Sequence, residues 1–419
     1  MKPNYFDPMF YIPSDKMQFT IRIKCNLKET VDAEILDKAL QKSIKRYPYF
    51  LIRVKQQDEC YISVPNDLPV VLKMGPDVPT LGSAEVNWHM LALTCYQNTI
   101  TFCISHIITD GAGFCPFIKT VLYYYLCMKY NIKLDSRGIN LCDDELFDDE
   151  VINPYPEGKM KNSNAFFEPK RGEYFNLKDG GIANDDEATV YYIKVNQNDF
   201  MKYNRKNDGT PCSFGAVLAA KAIWNVHPDM NKNLVCDVSF NLRPAMGNLH
   251  NYRMLCSSFP LIYPPKLKDR SADILCTLSR GMILLNSQEE NVINYCENLR
   301  SWIEKIENLP TLELKKKTVS EEALRRATDN TYSISYVGNV DLGEIGQYID
   351  SIYNLTDGSV YGCFFIEISS VNDYFDISFI QGFSSDVYYR EFVKLIEENN
   401  IRYIEEGNEK FCVPKVVYE

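Results

Sequence analysis

Between Met90 and Tyr130 the spacing of apolar residues changes once, and that change defines a strand–turn–helix unit. Met90–Tyr96 and Thr99–His106 alternate with a period of two and read as a hairpin turning at Gln97-Asn98. In the second strand Ile100, Phe102, Ile104 and His106 share one face. From about Gly113 to Tyr130, Phe114, Phe117, Ile118, Val121, Leu122, Tyr125 and Leu126 recur at three- and four-residue steps, as in a helix with one buried stripe. Between the two periods lies Ser105-His106-Ile107-Ile108-Thr109-Asp110-Gly111-Ala112-Gly113, in which Asp110-Gly111 and Gly113 supply turn chemistry. Such a turn holds an imidazole rigidly at the lip of a sheet.

Other segments show the same mixture. Phe19–Cys25 alternates as a strand, and Asp32–Arg46 is a helix burying Leu36, Ala39, Leu40, Ser43 and Ile44 before Pro48 stops it. Phe50–Val54 reads as a further strand. In the second half Val190–Val195, Leu234–Phe240, Tyr332–Val337, Phe364–Ile368 and Asp376–Ile380 read as strands. Ser213–Trp224, carrying Val217, Leu218 and Lys221, and Val387–Glu398 read as helices.

The stretch from Asp143 to Glu187 differs. It is acidic and turn-rich, runs through Asn153-Pro154-Tyr155-Pro156-Glu157-Gly158, and is expected to be an exposed crossover between two halves. With 419 residues, two domains are expected, 1–175 and 176–419, with 143–187 as the linker.

Composition narrows the function. A net charge of -11 argues against general nucleic-acid binding, which needs a dense basic surface. The 14 cysteines include no Cys-x-x-Cys pair and lie in apolar surroundings, as expected of reduced thiols in a cytoplasmic protein. The N-terminus lacks the pattern of a signal peptide, and no stretch approaches the ~18 apolar residues of a membrane span. No phosphate-binding or dinucleotide-binding glycine motif is present. Cys103-x-x-His106 has a metal-like spacing, but no second pair completes a zinc site, so no metal is expected.

A rigid histidine with a pKa near 7 suits proton abstraction from a weak nucleophile. Spacing alone favours a strand-end histidine without chemistry, because His-x-x-x-Asp is short and common. Context shifts the balance. His106-Ile107-Ile108-Thr109-Asp110-Gly111 resembles the signature of the chloramphenicol-acetyltransferase-like superfamily, which includes condensation domains, plant BAHD acyltransferases and alcohol acetyltransferases. Asp32–Arg46 with Tyr47-Pro48-Tyr49-Phe50 is similar to the family's first helix and its ending. Asp237–Pro244, with Asn241-Leu242-Arg243-Pro244, resembles a strand end of its second half. Ser335-Tyr336-Val337-Gly338-Asn339-Val340 resembles a late segment of the alcohol acetyltransferase branch.

The resemblance implies an α/β fold of mixed sheets in two lobes, with a central tunnel and His106 midway along it. It implies His106 as general base, with Gly111 in the same signature. It pairs Asp110 with Arg243, so that Asp110 has a structural role; a carboxylate buried in a turn needs such a partner. It implies acyl transfer from acyl-CoA, in this branch acetyl-CoA, to a small alcohol or amine, with no permanently bound cofactor. Ser335, Tyr336 and Asn339 are candidates for the oxyanion donor or the tunnel wall. Here the chain departs from the pattern: the Asp-Phe-Gly-Trp segment of the plant members is absent, and Tyr336 stands where the alcohol acetyltransferase branch often has Asn.

Two alternatives stay open: a condensation-type enzyme fed by a carrier protein, and a non-catalytic metabolite-binding homologue. His89, His227 and His250 are each expected to have no catalytic role, with the tunnel wall as the alternative for His250. The basic runs Lys315-Lys316-Lys317 and Arg325-Arg326 read as a solvated helix face, with coenzyme A phosphates as the alternative partner.

Overall fold

Alternation in Thr99–Ser105 places Ile100, Phe102 and Ile104 against the helix Gly111–Tyr130, where Phe102 meets Phe114 and Phe117 edge-on. This computed structural model describes residues 7–152, 170–357 and 363–419. Its first sheet has five strands in the order Ile349–Thr356, Thr20–Leu27, Thr99–Ser105, Leu91–Tyr96 and Leu72–Met74. The helices Ala33–Ser43 and Gly111–Tyr130 pack together on it, burying Leu36, Leu40, Phe117 and Val121 in one core. Asp32 caps the first of these helices by accepting from the Ile35 N–H at 3.0 Å.

The second sheet has seven strands: Tyr403–Lys410, Thr189–Asn196, Tyr374–Gln381, Phe364–Val371, Tyr332–Asn339, Leu234–Asn241 and Cys256–Tyr263. Phe364–Val371 is buried along its whole length, as a central strand covered on both faces must be. The helix Pro211–Val226 lies across one face. It approaches closely because Gly215 has no side chain; a Cβ there would stand 2.8 Å from Ile334 Cδ1.

Strand assignment departs from the expected division at 175/176. Ile349–Thr356, from the second half, pairs antiparallel with Thr20–Leu27 and forms an edge of the first sheet. The C-terminus also returns: Val416 bridges Leu81, and the Glu419 N–H donates to Val54 O. The periodicity reading gave no assignment to Ile349–Thr356, nor to the helices Ala272–Asn286, Glu289–Glu307 and Leu312–Thr328.

The expected exposed linker is partly interior. Glu150 is buried, and its carboxylate takes both guanidinium Nη groups of Arg46, at 2.9 and 2.6 Å, and the Tyr49 hydroxyl at 3.1 Å. Phe175, Leu177 and Ala183 join the core of the second sheet. Asn153–Gly158 lies outside the described residues. Among the described residues no helix is long and apolar enough to cross a membrane.

Candidate active site

The chain leaves the first sheet after Ser105, and the His106 N–H donates to Phe19 O at 2.9 Å. Asp110 is the N-cap of the following helix, accepting from the Gly113 N–H at 2.8 Å, so the helix begins at Gly111 rather than at Gly113. Neither glycine has a left-handed φ. Gly113 serves close packing instead of the expected turn: a Cβ there would lie 2.1 Å from Tyr252 O and 2.8 Å from Arg243 Nη2.

Within this turn the His106 Nδ1 lies 2.9 Å from Thr109 O. A carbonyl only accepts, so Nδ1 carries the proton and Nε2 keeps its lone pair. One face of the imidazole stacks on Phe19, with ring centres 4.7 Å apart and planes 10° from parallel. Burial holds the imidazole below its ordinary pKa of 6.5, against the opposing pull of the Asp110 charge and the backbone bonds. The ring is therefore neutral and basic at neutral pH.

Phe19 has φ 55, a conformation that costs a bulky residue on the order of 1–3 kcal/mol. The carboxylate of Asp357 compensates. It accepts from the backbone N–H groups of Gln18, Phe19 and Thr20 at 2.7, 2.8 and 2.9 Å. Burial nevertheless pushes this carboxyl up to about 6. Sequence reading missed both Phe19 and Asp357, which meet across more than 300 residues with no local pattern to announce them.

Asp110 and Arg243 form an ion pair at 2.9 Å, both side chains almost wholly buried. The Asp110 oxygen that meets Arg243 also accepts from the Leu255 N–H at 2.8 Å. Arg243 gives its other donors to the carbonyls of Asn251 and Arg253, at 2.8 and 2.5 Å. Because Nδ1 is taken by Thr109 O, Asp110 does not form a serine–histidine–aspartate relay with His106.

Between the two sheets, and beneath the helices Glu289–Glu307 and Leu312–Thr328, lies a cavity of about 690 Å³. The first sheet and its turn contribute Ile21, His106 and Gly111 to its wall; the second contributes Ser335, Tyr336 and Glu367. The two sides are close at Gly111, where a Cβ would be 3.5 Å from Val337 Cγ1. The Tyr336 ring packs towards the core of the second sheet, edge-on to Phe375 at 6.1 Å.

Two candidates for the tunnel wall fall outside the cavity. Asn339 is exposed and does not line the cavity. His250 is also exposed, stacked on Phe147 with ring centres 4.7 Å apart, and likewise lies outside it. The basic runs are exposed, as expected of a solvated face, at Lys316, Lys317, Arg325 and Arg326, the two arginines also bordering the cavity; only Lys315 departs, buried with its ammonium 6.0 Å from the Tyr11 ring centre. Both arginines are tied to Glu322 at 2.9 Å, which lowers that carboxyl to about 2. The remaining histidines face other partners: His89 Nε2 lies 2.7 Å from Leu68 O, and His227 Nε2 lies 2.7 Å from the Tyr388 hydroxyl.

No protein-family model and no curated protein matches the sequence. Solved structures do match the fold. TRI101 of F. sporotrichioides, complexed with coenzyme A and T-2, aligns with a TM-score of 0.61 at 10% identity, over 95% of this chain and 98% of that one. The condensation domain of the Monacolin K polyketide synthase MokA aligns at 0.57 with 12% identity, over 94% of each chain. The first condensation domain of the CDA synthetase aligns at 0.56 with 10% identity, over 95% of this chain and 93% of that one. The chain thus shares the two-lobed, mixed α/β fold of these structures.

Proposed function

We propose that this chain transfers an acyl group from acyl-CoA, in the first instance acetyl-CoA, to an alcohol acceptor, with His106 as general base. The observation that carries this reading is the tautomer of His106. Nδ1–H is bound to Thr109 O, and the ring, with its basic Nε2, belongs to the wall of a 690 Å³ cavity between the sheets. The acceptor O–H gives its proton to Nε2 while its oxygen attacks the thioester carbonyl. A tetrahedral oxyanion forms, the C–S bond breaks, and Nε2–H returns the proton to the leaving thiolate. Alignment of two bound substrates supplies several kcal/mol of the barrier reduction, about 7–11 at most.

In this reading Asp110 and Arg243 are positioning residues. They fix the start of the helix, and with it the turn that carries Thr109 O. The Tyr336 ring is committed to packing on Phe375, so an oxyanion donor has to come from elsewhere on the cavity wall. Such a donor is worth roughly 3–4 kcal/mol. No permanently bound cofactor takes part. TRI101, crystallised with coenzyme A and T-2, supports the acyl-CoA reading. The condensation-domain neighbours support a second one, in which a carrier protein presents the acyl group and the acceptor is an amine.

The test is thiol release from a panel of acyl-CoAs, with and without alcohol and amine pools. His106→Ala is expected to lose at least about 100-fold. Equal rates for the two proteins would discard the mechanism, and turnover with acyl-carrier donors alone would favour the second reading.

A further inference from the structure

Glu367 is the one residue in the middle of Phe364–Val371 whose burial is hard to explain by folding. Its side chain is 4% exposed, and it lines the same cavity as His106. The carboxyl takes hydrogen bonds from Thr356, through both side chain and backbone, yet Oε1 has no partner among the described residues. The Thr356 bonds lower its pKa, but burial is the larger influence and pushes it up to about 7. The arginines named above at the cavity are committed elsewhere, Arg243 to Asp110, and Arg325 and Arg326 to Glu322. A buried carboxylate oxygen left unpaired costs about 1–3 kcal/mol or more, so a fold that keeps one is keeping it for something outside the chain.

The surroundings indicate what. Ser335 lies directly beside Glu367 in the parallel register, and Asp237 pairs with Ser333 on the same cavity-facing side. This part of the wall offers acceptor atoms and negative charge. Register also fixes its distance from the base. Thr20 pairs with Ser105 and Ile21 with Thr356, so the Thr356 backbone stands two strand spacings, roughly 10 Å, from the start of the His106 turn. One small molecule can bridge the two.

We propose that Glu367, with Ser335 beside it, binds a protonated amine at the far end of a bifunctional acceptor whose reacting hydroxyl lies at His106. This rests on the acyl-transfer reading above and narrows its substrate class to amino alcohols. An ammonium supplies the missing donor and neutralises the carboxylate, whereas a second hydroxyl would leave a buried charge.

The test compares linear α,ω-amino alcohols with diols of the same length. The ratio of kcat/KM for amino alcohol over diol is expected to be about 10–100 in the wild type, the range of a charge-assisted hydrogen bond, and to collapse towards one in Glu367→Gln. Glu367→Asp, should the glutamine variant fail to fold, is expected to move the preferred acceptor length up by about one methylene, because the carboxylate retreats by one carbon. Calorimetric binding of the same amino alcohols separates the two readings, since it needs no turnover. Amine binding that is lost in Glu367→Gln supports the ammonium site even if His106→Ala keeps full activity. A wild type that shows no preference for the amine, in rate or in binding, or a glutamine variant that keeps the preference, overturns it.

Discussion

Two buried ion pairs hold this chain together, and they differ in how many segments each one ties. Arg46–Glu150 joins the end of the first helix to the crossover, with the Tyr49 hydroxyl as a third member and the Arg46 Nε without a partner among the described residues. Asp110–Arg243 joins the His106 turn to the second half, and every polar atom of both side chains has a partner there. Both pairs shield charge in the interior; the second acts directly on the turn that carries His106, whereas the first reaches it through Tyr252, whose N–H donates to Glu150 O and whose carbonyl accepts from the Thr109 hydroxyl. A buried pair is expensive to break and weak evidence of stability by itself, so what distinguishes the two is what else moves when one fails.

The sharpest way to break the comparison is Asp110→Ala beside Glu150→Ala. Each leaves an arginine buried without its carboxylate and is expected to lower unfolding stability by about 3–5 kcal/mol in denaturant titrations. Acyl transfer separates them. Asp110→Ala should lose at least about 100-fold in kcat, on the scale of removing the base itself. Glu150→Ala should keep the wild-type kcat in its folded fraction. Equal kcat losses would mean that the crossover pair also shapes the site.

Glu367 gives an effect of similar size on stability, visible only through pH. Its folded pKa, about 7, is raised above the ordinary 4.5, so the folded state holds its proton more tightly than the unfolded one. Stability from this group is therefore fully present below pH 4.5 and is lost as pH rises through about 7. The wild type should lose on the order of 3 kcal/mol relative to Glu367→Gln across that window, measured as the difference between two unfolding series.

Removing both partners of the crossover pair should cost less than removing either. Arg46→Met with Glu150→Leu is expected to fall anywhere from neutral to about 1–4 kcal/mol stabilising, since no charge is stranded. A double variant as unstable as Glu150→Ala would show that the pair contributes through geometry. The smallest effect is in the pH–rate profile: kcat/KM should decline towards acid with a midpoint below 6.5, because burial lowers the His106 pKa.

The turn was legible in the sequence as a short, ordered phrase of strand, His106, Asp110 and helix, whereas its ion pair with Arg243 was expected only through the resemblance of the two motifs to a known family. Periodicity found the helices Ala33–Ser43 and Gly111–Tyr130 to within two or three residues, since their apolar stripes face a single core. The helices from Ala272 to Thr328 escaped because many of their apolar residues are exposed or only partly buried, Leu278 and Leu284 among them, which blurs the stripe. Phe19 and Asp357 escaped because their roles arise only on contact between distant segments. Glu367 did leave a trace: a lone carboxylate within Phe364–Ile368, a run otherwise apolar and already read as a strand.

The strand Ile349–Thr356 has a consequence for how the molecule is made. Its neighbour Thr20–Leu27 emerges from the ribosome roughly 330 residues earlier, which at ~5–20 residues per second is a delay of about 15–65 s. Through that interval one flank of the nascent sheet displays unpaired N–H and C=O groups, a template for adhesion between growing chains. Biogenesis therefore depends on shielding this flank until the late strand arrives, and a fragment ending before residue 349 would carry the hazard permanently.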